Sequence, residues 1–142
     1  MRLSTKGRYG VRMLLDLALH SGDSPRTLTE ISESQHISQK YMSRLLPMLA
    51  RAGLVKSLRG VEGGYRLCKD PKEITFLEIV EIMEGPLYLT PCVKDTKCSR
   101  FAICPATDVW KRVTQSMREA LEKYTLQDVI DAEKQPCPTG QA

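Results

Sequence analysis

TLTEISESQHISQKYMSRLLPMLARAG, residues 27–53, reads as two helices joined by one tight turn. Thr27 and Glu30 match a capping box, in which hydroxyl and carboxylate each satisfy the other residue's orphan amide, so a short helix starts there and runs to about Ser34. Ile37 and Ser38 mark the turn, and Ser38 has the side chain to cap a second helix. That helix carries Tyr41, Met42, Leu45, Leu46, Met48 and Leu49 at helical spacing, and Gly53 ends it. Pro47 falls inside the pattern, where a missing backbone donor predicts a kink. A short helix, a turn of about four residues and a longer helix form the helix-turn-helix arrangement. Leu28, Ile31, Leu45 and Leu49 would pack the pair together. Ser38, Gln39, Lys40, Ser43 and Arg44 would then face outward, with Tyr41 beside them, at the end of a helix that reaches base edges or phosphates in a major groove.

Working outward, Leu54–Leu58 and Tyr65–Cys68 alternate as strands around Arg59-Gly60-Val61-Glu62-Gly63-Gly64, which predicts a hairpin. A helix-turn-helix followed by a hairpin is a winged helix, and Arg59 and Gly60 at the wing's base are candidates for a backbone phosphate or a minor groove. A phosphate-cradling nucleotide loop does not fit, because no helix follows directly and no Walker-type Lys-Ser/Thr ends the run. Cys68 closes the second strand and is expected to be a small buried apolar group. Upstream, Gly7–His20 has the crowded apolar pattern of a helix with a wide buried face, broken by Gly22-Asp23-Ser24-Pro25. Downstream, Asp70-Pro71 interrupts the chain. Thr75 with Glu78 predicts a second capping box opening a helix that carries Phe76, Leu77, Ile79, Val80, Ile82 and Met83 and is closed by Gly85-Pro86.

The stretch Leu87–Pro105 has no clean period and holds Cys92, Cys98 and Cys104 at the spacing C-x5-C-x5-C. Loop thiolates can converge on one metal or iron–sulfur centre. A disulfide pair with a spare thiol, or three unrelated buried cysteines, are the alternatives the residues leave open. Lys94, Lys97 and Arg100 interleave the triplet and favour thiolate formation. From Ala106 a long amphipathic helix places Trp110, Val113, Met117, Ala120, Leu121 and Tyr124 on one stripe, which suits pairing between subunits. Packing against the chain's own domain is the alternative. Thr125-Leu126-Gln127-Asp128 opens a short terminal helix, and the tail, which contains Cys137 between two prolines, reads as disordered with an exposed thiol. The expected fold is mainly α with a small β-hairpin wing: a winged helix-turn-helix domain (1–84), a cysteine-bearing loop (85–105), a long C-terminal dimerisation helix with a terminal helix (106–134) and a disordered tail (135–142).

The chain has 142 residues, enough for one domain with an appendage. No apolar run of about 18 residues predicts a membrane span, the N-terminus does not read as a signal peptide, and five cysteines argue against a secreted disulfide framework, so a cytoplasmic protein is expected. Residues 1–72 hold 13 Lys/Arg against 6 Asp/Glu, whereas residues 73–142 hold 8 against 11. A basic first half is the footprint of a polyanion binder. No paired carboxylates, nucleophile motif or cofactor fingerprint point to catalysis or to a small-molecule substrate.

The opening Met1-Arg2-Leu3-Ser4-Thr5-Lys6-Gly7-Arg8-Tyr9-Gly10, the wing from Arg59 to Tyr65 and the cysteine triplet followed by Trp110 together resemble the IscR-type winged-helix transcription regulators, bacterial sensors of iron–sulfur status. The resemblance runs from Met1 to about Glu133. It implies a homodimer that binds palindromic double-stranded operators, control of cluster-biogenesis genes, and an iron–sulfur cluster held by Cys92, Cys98 and Cys104 of each subunit. 2Fe–2S stands first and 4Fe–4S second. The best-known members carry a histidine three residues after the last cysteine; Thr107 stands there in this chain, and an alcohol is a poor iron ligand. His20 and His36 lie in the DNA-binding half and read as ordinary polar surface residues. Asp108 leads as fourth ligand, with Asp95, a group from the other subunit, water and Cys137 also open. A cluster-free thiol or zinc switch, or a regulator that docks on a partner enzyme, are the rival functions.

Overall fold

Hydroxyl side chains start four of the helices. Ser4, Thr27, Ser38 and Thr75 each accept a hydrogen bond from an amide in the first turn that follows, satisfying donors that would otherwise be orphaned. The computed structural model describes residues 2–22 and 24–135. In chain order these form α1 (Thr5–Leu19), α2 (Leu28–Gln35), α3 (Gln39–Arg51), β1 (Val55–Leu58), β2 (Gly64–Leu67), a 3-10 turn (Pro71–Glu73), α4 (Phe76–Glu84), α5 (Pro91–Lys94), α6 (Ala106–Lys123) and α7 (Leu126–Lys134). The strands pair antiparallel from Val55↔Leu67 to Leu58↔Gly64. The result is the expected winged helix, mainly α with one hairpin. The reading of residues 136–142, with Cys137, lies outside the described residues.

The predicted box at Thr27 is complete, with the Thr27 amide donating to Glu30 Oε2 at 2.7 Å. Thr75 caps α4, but Glu78 does not reach back to close a box; its Oε1 accepts from Lys69 Nζ at 2.8 Å. Pro47 does not end α3, which runs on to Arg51. Pro47 and Ser43 are both exposed, so solvent can satisfy the carbonyl that Pro47 leaves without a donor. Cys68 is exposed, contrary to expectation. β2 ends one residue earlier, and the Cys68 amide donates to the Leu54 carbonyl at 2.8 Å, leaving the thiol at the surface.

One core joins Met13, Leu14 and Leu17 of α1, Ile31 of α2, Met42, Leu46 and Leu49 of α3, and Ile79 and Met83 of α4. Leu126 and Ile130 of α7 enter it as well. Hydrogen bonds from Phe76 N to Tyr124 O and from Leu126 N to Ile74 O, both 2.9 Å, fasten the start of α7 beside the start of α4. The wing is tied down at Arg26. Its backbone exchanges two hydrogen bonds with Tyr65 (3.0 and 2.7 Å), while its Nε donates to Asp16 on α1 at 2.9 Å. Gly64 is obligatory here: it has φ +155, and a Cβ would lie 2.5 Å from the Arg26 carbonyl oxygen.

Candidate nucleic-acid interface and cysteine loop

Ser38, Gln39, Lys40, Ser43 and Arg44 are all exposed along the first turns of α3, as are Arg59 and Gly60 at the wing. Among the described residues no carboxylate forms an ion pair with Lys40, Arg44 or Arg59. Ser43 Oγ donates back to the Lys40 carbonyl at 2.8 Å, and Gln39 Nε2 donates to Thr29 Oγ1 at 3.3 Å. Tyr41 is half-buried, set edge-to-face against Tyr9 of α1 with ring centroids 5.7 Å apart. Arg12 stands 5.3 Å from the Tyr9 ring and donates to the carbonyl of Gln35, which closes α2. α1 therefore braces the reading helix through its aromatic face. This bracing is not legible in sequence, where Tyr9 is one position in the apolar pattern of Gly7–His20.

The cysteine segment leaves α4 at Gly85 and is fastened at two points before the first cysteine. The Leu87 amide donates to Glu81 Oε1 (3.1 Å), which also pairs with Arg118 of α6. The Leu89 amide donates to Thr114 Oγ1 of α6 (3.3 Å). Cys92 lies on the single turn of α5, an element without sequence periodicity, and its sulfur is 2.9 Å from Thr90 Oγ1. Cys92 and Cys104 are half-buried and Cys98 is exposed; all three are free thiols. Cys104 precedes α6. Its thiol is held below the ordinary value first by the Ala106 amide and then by the Thr107 hydroxyl, with the Thr107 amide and Arg100 adding to them and desolvation opposing.

Thr107 is buried. Asp108, the expected fourth ligand, is exposed and pairs with Arg112 at 2.9 Å, and Asp95 holds the Lys97 ammonium at 3.3 Å. Among the described residues, no three of His, Cys, Asp and Glu stand together as a set that could hold a metal ion. Three thiolates are the donor chemistry of zinc and iron–sulfur sites, whereas their arrangement here is that of an open loop.

α6 is turned inside out for a monomer. Its buried residues are Thr107 and Thr114, while Val109 (55% exposed), Trp110 (40%), Val113 (40%) and, just past its end, Tyr124 (60%) face solvent. Met117 and Leu121 are half-buried and Ala120 is exposed on the same stripe, which meets Leu3 in an open apolar hollow. With only threonines fully buried and an apolar stripe left exposed between charged flanks, the helix presents a strip that water does not favour. No described helix is long and apolar enough to cross a membrane.

The family model described as Rrf2, iron-dependent transcriptional regulator, matches residues 3–132. The HTH-type transcriptional regulator IscR of Photorhabdus laumondii is 34% identical over 154 residues, covering 100% of this chain and 94% of its own. The structure of T. potens IscR superposes with a TM-score of 0.76 at 34% identity, over 100% of this chain and 94% of that one. CymR, the global cysteine regulator of B. subtilis, superposes with a TM-score of 0.77 at 33% identity, over 93% and 98%. The likeness to IscR read from the N-terminus, wing and cysteines is thus borne out, and CymR stands equally near.

Proposed function

Since this chain belongs to the Rrf2 family, whose members are transcriptional regulators and not enzymes, we propose that it is a homodimeric, operator-binding regulator whose cysteine loop senses iron–sulfur status. In this reading α6 pairs with its copy through Trp110, Val113, Met117, Leu121 and Tyr124. Two copies of α3, carrying Ser38, Gln39, Lys40, Tyr41, Ser43 and Arg44, then read half-sites of an imperfect palindrome, with Arg59 and Gly60 on the flanking backbone or minor groove. Cys92, Cys98 and Cys104 are the residues that would hold a cluster, 2Fe–2S in preference to 4Fe–4S. When bound, it supplies iron whose ligation and charge change with the redox and iron supply of the cell.

The observation that carries this reading is where the loop is anchored. Glu81 and Thr114 fasten its start to both α4, which lies in the core of the reading domain, and α6, which bears the apolar stripe. Drawing Cys92, Cys98 and Cys104 together would pull the rest of the loop onto α6, so the loop's state bears on how two reading heads sit. Couplings of this kind amount to about 1–3 kcal/mol, or about 5- to 150-fold in operator affinity.

The test is compositional. Protein purified without air and supplied with iron and sulfide should bind both in fixed ratio and absorb visible light. Cys98→Ala should lose both while keeping its helical content, and unchanged iron content in that variant would refute the assignment. A second reading, a cluster-free thiol or zinc switch, draws support from the acidified Cys104, from Thr107 in the position of a ligand histidine and from the nearness of a cysteine regulator. Stoichiometric zinc, or colourless protein whose DNA affinity follows thiol oxidation, would establish it.

A further inference from the structure

A buried ion pair ties the wing to the body of the reading domain. Arg26 donates to the Asp16 carboxylate through two nitrogens, Nε to Oδ1 at 2.9 Å and Nη2 to Oδ2 at 3.4 Å. Asp16 is fully buried on α1 and also accepts from Gln35 Nε2, at the end of α2, at 3.3 Å. Arg26 Nη1 stands 3.9 Å from Glu30 Oε1 in the first turn of α2. The backbone of Arg26 meanwhile bridges Tyr65 of β2, and Gly64 lets it come close, since a Cβ there would meet the Arg26 carbonyl oxygen. Arg26 thus grips α1 with its side chain and the wing with its backbone. Gly64 pairs in turn with Leu58, and Arg59 follows directly. A short run of hydrogen bonds leads from Asp16 to the residue assigned to the flanking DNA contact.

Stability alone does not account for this pair. Burying two charges costs about as much as their attraction returns, and apolar residues of similar volume commonly replace such a pair without loss. What an apolar pair lacks is direction. A guanidinium held by both oxygens of one carboxylate has a single favoured plane, which fixes how the chain bearing it leaves.

We propose that the Asp16–Arg26 pair sets the angle of the wing against α3 and so brings Arg59 to the duplex, making both residues positioning residues for a contact that neither makes itself. The inference rests on the placement of Arg59 against DNA in the proposed function.

Asp16→Leu combined with Arg26→Met tests this, because the two substitutions remove both charges together and leave no buried ion unpaired. The melting temperature of the doubly substituted protein should stay at or above the wild-type value. In the wild-type background Arg59→Ala should weaken operator binding about tenfold or more, as loss of a hydrogen bond to a charged group does. In the doubly substituted background the same change should cost about twofold or less, whereas Arg44→Ala should cost an equal factor in both. Residues that share no partner ordinarily contribute additively. A smaller Arg59 factor beside a constant Arg44 factor therefore reports the angle of the wing and not a general loss of folded protein.

Equal Arg59 factors in the two backgrounds, or Arg44 factors that shrink along with them, would overturn the positioning role and leave the wing contact standing. Arg59→Ala that binds as tightly as the wild type would overturn the wing contact and this inference with it. If the doubly substituted protein does not fold, Arg26→Lys carries the same comparison. It keeps a counter-charge for Asp16 and removes the two-point grip, so its Arg59 factor should fall likewise, and an undiminished factor would overturn the positioning role.

Discussion

Asp16 has no exposed surface, yet it carries a charge between α1, the α2 turn and the wing. Burial pushes its carboxyl up, but hydrogen bonds from Arg26, Ser34 and Gln35 together with the charge of Arg26 outweigh that and hold it below the ordinary aspartate value of 3.8. A carboxylate lowered in the folded state contributes its full stability above its unfolded pKa and loses that contribution as the pH falls toward the folded one. Asp16→Asn should therefore cost about 2–4 kcal/mol at neutral pH, because Arg26 loses its buried counter-charge. The gap between wild type and variant, read from urea midpoints, should close on acidification below 3.8; a gap independent of pH would contradict the account. Cys104 makes the second point at this scale. Thr107, poor as an iron ligand, is one of the groups that acidify that thiol. In metal-free protein Cys104 should be alkylated faster at neutral pH than Cys98, despite being less exposed, and Thr107→Val should slow it. Peptide mass spectrometry with limiting iodoacetamide reads both rates.

Among the elements, α6 departs furthest from what a lone chain requires. Its outward residues contribute little to the fold of the monomer, so Val113→Asp should leave secondary structure and the melting of the winged helix near wild type while shifting sedimentation from dimer to monomer. A persistent dimer would assign the pairing surface elsewhere. The stripe itself was legible, because its spacing lies within one helix. So were the Thr27–Glu30 box and the Ser38 cap, whose hydrogen bonds span three residues. What escaped was decided by competition at a distance. Glu78 looked like a second box until Lys69, nine residues upstream, took its carboxylate. Glu81 and Arg118 lie 37 positions apart and share no local pattern. Cys68 was expected inside because strand register, which sequence alternation leaves loose by one residue, decides on which side of the strand's end it falls. The candidate iron ligands were visible as a spacing, but their geometry was not, since loop thiols converge only if something draws them together.

Across the whole molecule, charge and apolar surface are segregated. The basic residues concentrate in the first half, where α3 and the wing expose them, and the acidic excess falls in the half bearing the loop and the apolar helix. This division suits a polyanion on one face and a second copy of the chain on another, with the cysteine loop between them. The hydrogen bonds of Glu81 and Thr114 are the physical link from loop to both faces, so the account stands or falls on coupling between what the loop holds and what α3 grips. The direct measurement is operator affinity at one fixed salt concentration, without air, for iron-and-sulfide-loaded protein and for the same protein stripped by chelator. The account predicts affinities that differ by about fivefold or more on at least one operator, with the difference absent in Cys98→Ala. Equal affinities on every operator, in protein shown to have bound iron, would contradict it.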